Sequence, residues 1–514
     1  MPLRVRPDSV FCLEFTHEKD DFNPYDCTIP ELIYQKAKET KTAFVFDSEK
    51  LSLSYEGLKT EMESLATGFL SSGLQPNDRV LICGYNSHLV LISALAASRA
   101  GLIFSLASPN FTHAQQLKHL IVSGGFRAVI LFAPNESGGS DYAYNMMIEI
   151  CPELKGSQRG KLASPNLPIL SHVILGDEDH KHSGCYTLSE IFGKCSKQRM
   201  EKLPNYKQWN CHRMAAISFT LGATGPQKAV CLSHYQLINS CRLTANTIGI
   251  SKDAIFACAL PIYRIPVFCL IALTPFFFNS CTVISEPSPI PRFLFSTINK
   301  YKCTTLLSNA VAIRLLIKAG ITQKIKLPSV NSVMPSAKKI AVGMLFTETG
   351  SVPILSDKTT NMLKSIGKAL DGYQVDIKPV DNACLDWIET GDIASISREG
   401  NVEILTNKSD LIYDRNDKLV EHWVIEKHLA QYQEIKGVQL VQVCHGAPVC
   451  CIVVPKKLQC VPEFIRTDLT VICRKNNMYI PDQFAIITDF PRVNTRIQKF
   501  KLREMLKKKM FNLY

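Results

Sequence analysis

Short apolar runs and amphipathic stretches take turns along the first 130 residues. Ile29 to Lys38 and Tyr55 to Ser72 carry apolar side chains at three- and four-residue spacing. That spacing predicts two helices, the second stopped by Gly73. Arg79-Val-Leu-Ile-Cys-Gly and Ala128-Val-Ile-Leu-Phe are apolar runs of strand length, and His88 to Arg99, rich in Ala and Leu, reads as a helix. Strands separated by helices of this length imply parallel sheets covered on both faces, an α/β fold. The pattern returns between residues 215 and 320, with strands expected near Ala215, Ile255, Thr282 and Thr304. Val267 to Ile284 is the most apolar stretch, yet it holds Pro275, Asn279 and Ser280. A buried helix followed by a strand fits it better than a membrane span. From Gly372 to Leu405 the texture shifts to short alternating strands. The polar Thr406-Asn-Lys-Ser-Asp then precedes a further unit, which makes it the expected domain boundary.

Length and composition narrow this picture without changing it. At 514 residues the chain exceeds what one core supports, so at least two domains are expected. Hydrophobic residues at 46% and charged ones at 20% describe an ordinary globular protein. The net charge of +12 favours anionic partners: a phosphate-rich ligand such as ATP or CoA, anionic lipid, or nucleic acid. Basic residues do not interleave with aromatics over any long stretch, which argues against nucleic acid. The basic run from Lys499 to Lys509 is expected to be the solvated face of a helix. The 19 cysteines form no C-x-x-C pair, so they read as reduced, mostly buried thiols of an intracellular protein, with neither disulfide framework nor zinc site. The sequons at Asn110 and Asn135 are then chance matches. The N-terminus has two arginines but no apolar core, so it reads neither as a secretory signal nor as a convincing transit peptide.

Candidate chemistry begins at Ile217-Ser-Phe-Thr-Leu-Gly-Ala-Thr-Gly-Pro-Gln-Lys-Ala-Val. It reads as an apolar strand running into a Thr/Gly loop with one lysine, followed by a helix from Ser233. Glycines let backbone N–H groups close around phosphate oxygens, hydroxyls add donors, and lysine supplies charge. The spacing is not that of a Walker A loop. This segment resembles the phosphate loop of the adenylate-forming superfamily, the acyl-CoA synthetases and luciferases. Gly222, Thr224, Gly225 and Lys228 match its pattern.

Three further segments match in the family's order. Thr347-Glu-Thr-Gly resembles the T-E-T signature, which implies that Glu348, beside Thr347, helps hold Mg2+ on ATP. Gly367-Lys-Ala-Leu-Asp-Gly-Tyr-Gln-Val resembles a second signature, and Trp387-Ile-Glu-Thr-Gly-Asp a third that assigns the ribose hydroxyls to Asp392. Leu232-Ser-His-Tyr, Ile150-Cys-Pro-Glu-Leu and Ile497-Gln-Lys-Phe-Lys-Leu-Arg-Glu are similar to the medium-chain fatty acyl-CoA ligases of the acyl-CoA synthetase family member 2 group. The resemblance spans roughly residues 25 to 510.

Several motifs depart from the family. In Phe490-Pro-Arg-Val-Asn-Thr-Arg-Ile-Gln-Lys, Arg496 takes the place of the catalytic lysine and Thr495 that of a glycine. Arginine keeps the charge but its planar fork places it differently. Asn407 replaces the hinge arginine that contacts ribose. Arg264, in Pro261-Ile-Tyr-Arg, replaces a histidine lining the acyl channel. Stretches before Met344 and between Pro379 and Trp387 are shorter than in the family.

The resemblance implies an adenylate-forming ligase fold: a large multi-sheet N-terminal domain over 1–405, a hinge at 406–410 and a small α+β lid over 411–514. It implies a ligase that joins a medium-chain fatty acid to CoA through acyl-AMP, using ATP, Mg2+ and CoA, with turnover reduced by the altered motifs. The alternative is a pseudoenzyme that binds nucleotide, acyl-CoA or an active partner ligase. Self-association also stays open. A mitochondrial location follows from the subfamily alone, with the cytoplasm as the alternative.

Overall fold

The structure is a computed structural model. It describes residues 11–17, 23–134, 139–176, 182–222, 225–286, 291–308, 343–346, 351–355, 368–369, 373–379, 388–396, 401–456, 462–493 and 496–514. Two sheets of mostly parallel strands make up the N-terminal body. The larger runs Ala229–Ser233, Met214–Phe219, Ile103–Ala107, Arg79–Cys83, Ala128–Leu131, His172–Leu175, Cys185–Thr187, with only the first pair antiparallel. The smaller runs Thr305–Leu307, Ile255–Cys258, Cys281–Ile284, Thr42–Phe46, Leu51–Ser54, again with one antiparallel edge pair. Both sheets turn one face toward a shared core that includes Phe44, Phe46, Ile82, Phe104, Phe256 and Phe268. Parallel strands buried on both faces need continuous apolar runs, and these sequences supply them.

The helices between the sheets show the same logic. In His88–Arg99 the Ser87 hydroxyl accepts the Val90 N–H at 3.3 Å, and ten of the twelve residues are buried. Ile265–Phe278 is apolar all round, as a helix enclosed by protein on every side must be. Pro275 inside it lacks an N–H, which deprives the Ile271 carbonyl of its intrahelical donor. The Thr282 hydroxyl donates to that carbonyl at 3.0 Å. The Val267 to Ile284 stretch is therefore a buried helix and strand, and among the described residues no helix is long and apolar enough to cross a membrane. The first expected helix is shorter than its pattern suggested. It ends at Tyr34, and residues to Lys38 continue as turns.

Tyr373–Pro379, Phe11–His17, Ile388–Ile396 and Val402–Asn407 form a four-stranded antiparallel sheet. Beyond Asp410, strands Ile435–Gln442, Val449–Pro455 and Gln483–Ile486 form a small sheet. Helices His422–Leu429 and Pro462–Lys475 pack one face, and Lys499–Lys507 packs the other through Leu502. The basic run is not wholly solvated. Lys499 is buried and its Nζ meets Glu426 Oε1 at 2.7 Å.

Candidate functional site

The Thr/Gly loop joins two antiparallel strands, Met214–Phe219 and Ala229–Ser233, so it is a hairpin tip and not a strand-to-helix turn. The helix His234–Ile248 starts one strand later, capped by a reciprocal Ser233–Gln236 pair. Thr220 locks the hairpin: its N–H donates to the Lys228 carbonyl and its Oγ1 accepts the Lys228 N–H, both at 3.0 Å. Gln227 Nε2 donates to the Thr220 carbonyl at 3.1 Å. Gly222 sits at φ +67°, and a Cβ there would lie 3.0 Å from Gln227 Cγ and 3.1 Å from the Gly225 carbonyl oxygen. Only glycine fits that position without strain.

A cavity of about 610 Å³ opens beside the hairpin. Gly222, Gly225 and Gln227 line it from the loop, Tyr263 and Arg264 from the start of the buried helix, and His113 and His119 from another side. Arg492, Gln498 and Lys501 reach it from the C-terminal segment. Among the described lining residues there are cations and no carboxylate, so the cavity is electropositive. Gln498 Nε2 donates to the Gly222 carbonyl at 2.8 Å in a buried bond, which fastens the C-terminal segment to the loop.

Arg264 sits in the cavity wall, and no hydrogen bond or ion pair holds its guanidinium among the described residues. Burial disfavours its charged form, Tyr263 opposes that, and the like charge of Arg496 adds to it. A half-buried cation facing a second cation is costly unless an anion comes between them. Arg496 itself lies exposed on the short hairpin Arg492–Val493/Arg496–Ile497, opposite Val493. The helix that follows is anchored by the Lys499–Glu426 ion pair and by Arg503 against Asp410.

The structure thus brings Gly222, Gly225 and Arg264 together with Arg496 in reach of Arg264. Lys228 is exposed and does not line the cavity. Asp392 and Asn407 meet each other in a separate place: they are register partners on neighbouring strands, and Asn407 Nδ2 donates to Asp392 Oδ1 at 3.1 Å. Asn407 Oδ1 also accepts from Ser409 N and Oγ, so the side chain caps the turn at 408–410. Thr224, Thr347 and Glu348 lie outside the described residues. Gln498, Lys499 and Glu426 were not singled out as site residues from sequence. Two of them stand inside the Ile497-Gln-Lys-Phe segment, which was the available signal.

Residues 34–394 match the AMP-binding enzyme family. The mitochondrial medium-chain acyl-CoA ligase ACSF2 of Bos taurus is 25% identical over 90% of this chain and 85% of its own length. Its Danio rerio counterpart is 23% identical over 91% and 86%. Among solved structures, ATP-bound MatB from Rhodopseudomonas palustris superposes with a TM-score of 0.70 at 18% identity, covering 94% of this chain and 100% of its own. The Mycobacterium tuberculosis fatty acyl CoA synthetase gives 0.68 at 16%, covering 94% and 99%. With sequence and fold in agreement, the chain belongs to the AMP-binding enzyme family and has the adenylate-forming ligase fold.

Proposed function

We propose that this chain is an acid-activating ligase that joins a fatty acid, of medium chain length, to CoA through acyl-AMP. The single observation that carries the reading is the electropositive cavity beside the Gly222 hairpin, to which the Gln498–Gly222 bond fastens the C-terminal segment. In the first half-reaction a carboxylate oxygen attacks the α-phosphorus of ATP and pyrophosphate leaves. Both reactants are anions, so the protein's task is to neutralise charge in a site shielded from water. Arg264 lines the cavity where that charge would collect, with the charge of Arg496 near enough to act on it, and the left-handed Gly222 turn, lacking a Cβ, lets backbone approach a phosphate closely. In the second half-reaction the CoA thiol takes the acyl group and AMP leaves.

Nucleotide binding is supported by the ATP-bound and AMP-bound members of this fold. The lining suits phosphates. The resemblance of Thr347-Glu-Thr-Gly to the T-E-T signature assigns Mg2+ to Glu348, and the ion would supply further charge neutralisation when bound. Asp392 is assigned the ribose hydroxyls, with Asn407 steadying its carboxylate. The segment 411–514 is read as a lid on a hinge at 406–410. The mitochondrial name of the ACSF2 ligases supports the same compartment here, with the cytoplasm as the alternative.

A second reading, nucleotide binding with little or no turnover, is favoured by Arg496 and Asn407, which stand where the family has lysine and arginine. The variant Arg496→Lys separates the two. A ligase keeps or gains octanoate-dependent turnover in that variant. A pseudoenzyme stays inactive while ATP still raises its melting temperature.

A further inference from the structure

We propose that Asp26, Cys211 and His212 form a binding site for a divalent metal ion of the zinc type. Each side chain offers one ligand atom, and these atoms lie within 4.8 Å of one another. Thiolate, imidazole and carboxylate, a soft, a borderline and a hard donor, are all ligands that Zn2+ accepts. Three protein ligands leave a fourth tetrahedral position for water. The residues come from two distant stretches of sequence, which is why cysteine spacing gives no hint of the site.

The placement of the donors is built, not incidental. Asn239, on the helix His234–Ile248, holds the peptide before Asp26 with two bonds: its Oδ1 accepts the Tyr25 N–H at 2.8 Å and its Nδ2 donates to the Tyr25 carbonyl at 3.1 Å. On the same helix the Tyr235 N–H donates to the Cys211 carbonyl at 2.9 Å. The His212 ring packs on the Tyr235 ring with centroids 4.6 Å apart, and the His212 N–H donates to Asn210 Oδ1 at 2.8 Å. One helix start therefore fixes both donor-bearing segments. Holding ligands before the ion arrives lowers the ordering cost of binding. Asp26 and His212 are exposed, which gives the ion an entry path. Among the described residues neither side chain makes an ion pair or hydrogen bond. A bound ion would tie the segment before the first helix to the turn that leads into the loop hairpin.

Full-length protein, kept reduced, is titrated with Co2+ and then Zn2+ by absorbance and calorimetry. The site is expected to take up a single equivalent of Co2+ with thiolate-to-metal absorption and four-coordinate visible bands, which Zn2+ removes. Zn2+ is expected to raise the melting temperature, because binding only the folded state stabilises it. Cys211→Ser and His212→Asn should each weaken binding by roughly tenfold or more, in line with the loss of a ligand or its support. Both variants should melt like the parent in chelator, which separates a lost ligand from a lost fold. Cys231→Ser, which removes an exposed thiol elsewhere, should leave binding intact. Absence of thiolate absorption overturns the proposal. So does binding that survives Cys211→Ser, or binding that Cys231→Ser abolishes. None of these outcomes depends on the ligase reading.

Discussion

Gln498 donates its side-chain N–H to the Gly222 carbonyl at 2.8 Å, joining residues 276 positions apart in sequence. The bond ties the start of the C-terminal helix to a turn of the loop that demands glycine. It is buried, so removing the donor strands an acceptor away from water, at a cost of about 1–3 kcal/mol. Gln498→Ala is expected to lower ATP affinity and turnover by about tenfold, measured by calorimetry and pyrophosphate release. Gln498→Glu should be worse, since it sets a carboxylate against a carbonyl in a cavity built for anions.

Arg264, read from sequence as an acyl-channel residue, lines the electropositive cavity and is proposed to meet phosphate charge there, while Asp392 is proposed for the ribose, and two probes can tell them apart. Arg264→Leu removes a half-buried cation that faces Arg496, so the ligand-free protein should melt at the same or a higher temperature. The same variant should lose about tenfold in affinity for pyrophosphate and for ATP, because charge-assisted bonds are worth about 1.5–3 kcal/mol. Asp392→Ala should weaken ATP by a similar factor and leave pyrophosphate untouched, because pyrophosphate has no ribose. Equal losses on both ligands in both variants would refute the assignment.

Lys499 and Glu426 form a pair in the C-terminal core, where Glu426 Oε1 also accepts the Leu440 N–H at 2.8 Å. Burial raises the Glu426 carboxyl, and Lys499 opposes that shift. Lys499→Met leaves the acid without its partner and should destabilise by about 3–5 kcal/mol. Lys507→Met, at an exposed position of the same helix, should change stability by less than about 0.5 kcal/mol. Urea titrations of the two variants make the comparison.

His88 opens a core helix with Nδ1 3.1 Å from Glu49 and Nε2 3.3 Å from Glu61. Burial lowers its pKa, but hydrogen bonds to the two carboxylates outweigh that and raise it to about 9. A histidine raised in the fold adds stability below its ordinary value of about 6.5, and that stability is lost as pH rises through about 9. After allowance for solvent screening the expected loss is about 1–2 kcal/mol. Melting temperatures between pH 6.5 and 9.5 should fall more steeply in the parent than in His88→Gln. Parallel curves would show that the carboxylates do not hold a charged imidazole.

Much of the fold was legible because its strands are continuous apolar runs and its helices have clear ends. His88–Arg99 begins after a serine cap and matches its pattern residue for residue. Long-range pairing was not legible: nothing local says that Phe11–His17 pairs with Tyr373–Pro379. The phosphate-like loop was found from composition, but Ala229–Ser233 is short and polar at its end, so the hairpin's second strand was read as part of the loop. Lys499 was misjudged because a lysine in a basic run looks solvated until its buried acid, 73 positions earlier, is placed beside it. Arg264 was recognised as a substitution, yet its facing of Arg496 is a tertiary fact.

Octanoate-dependent release of pyrophosphate from ATP and Mg2+ by the purified protein, with and without CoA, tests the central claim most directly. A ligase releases pyrophosphate when octanoate is present, and CoA accelerates the release by clearing the acyl-AMP. Absence of release, in a folded sample that ATP still stabilises, would contradict the ligase reading and leave a nucleotide-binding protein of the same fold.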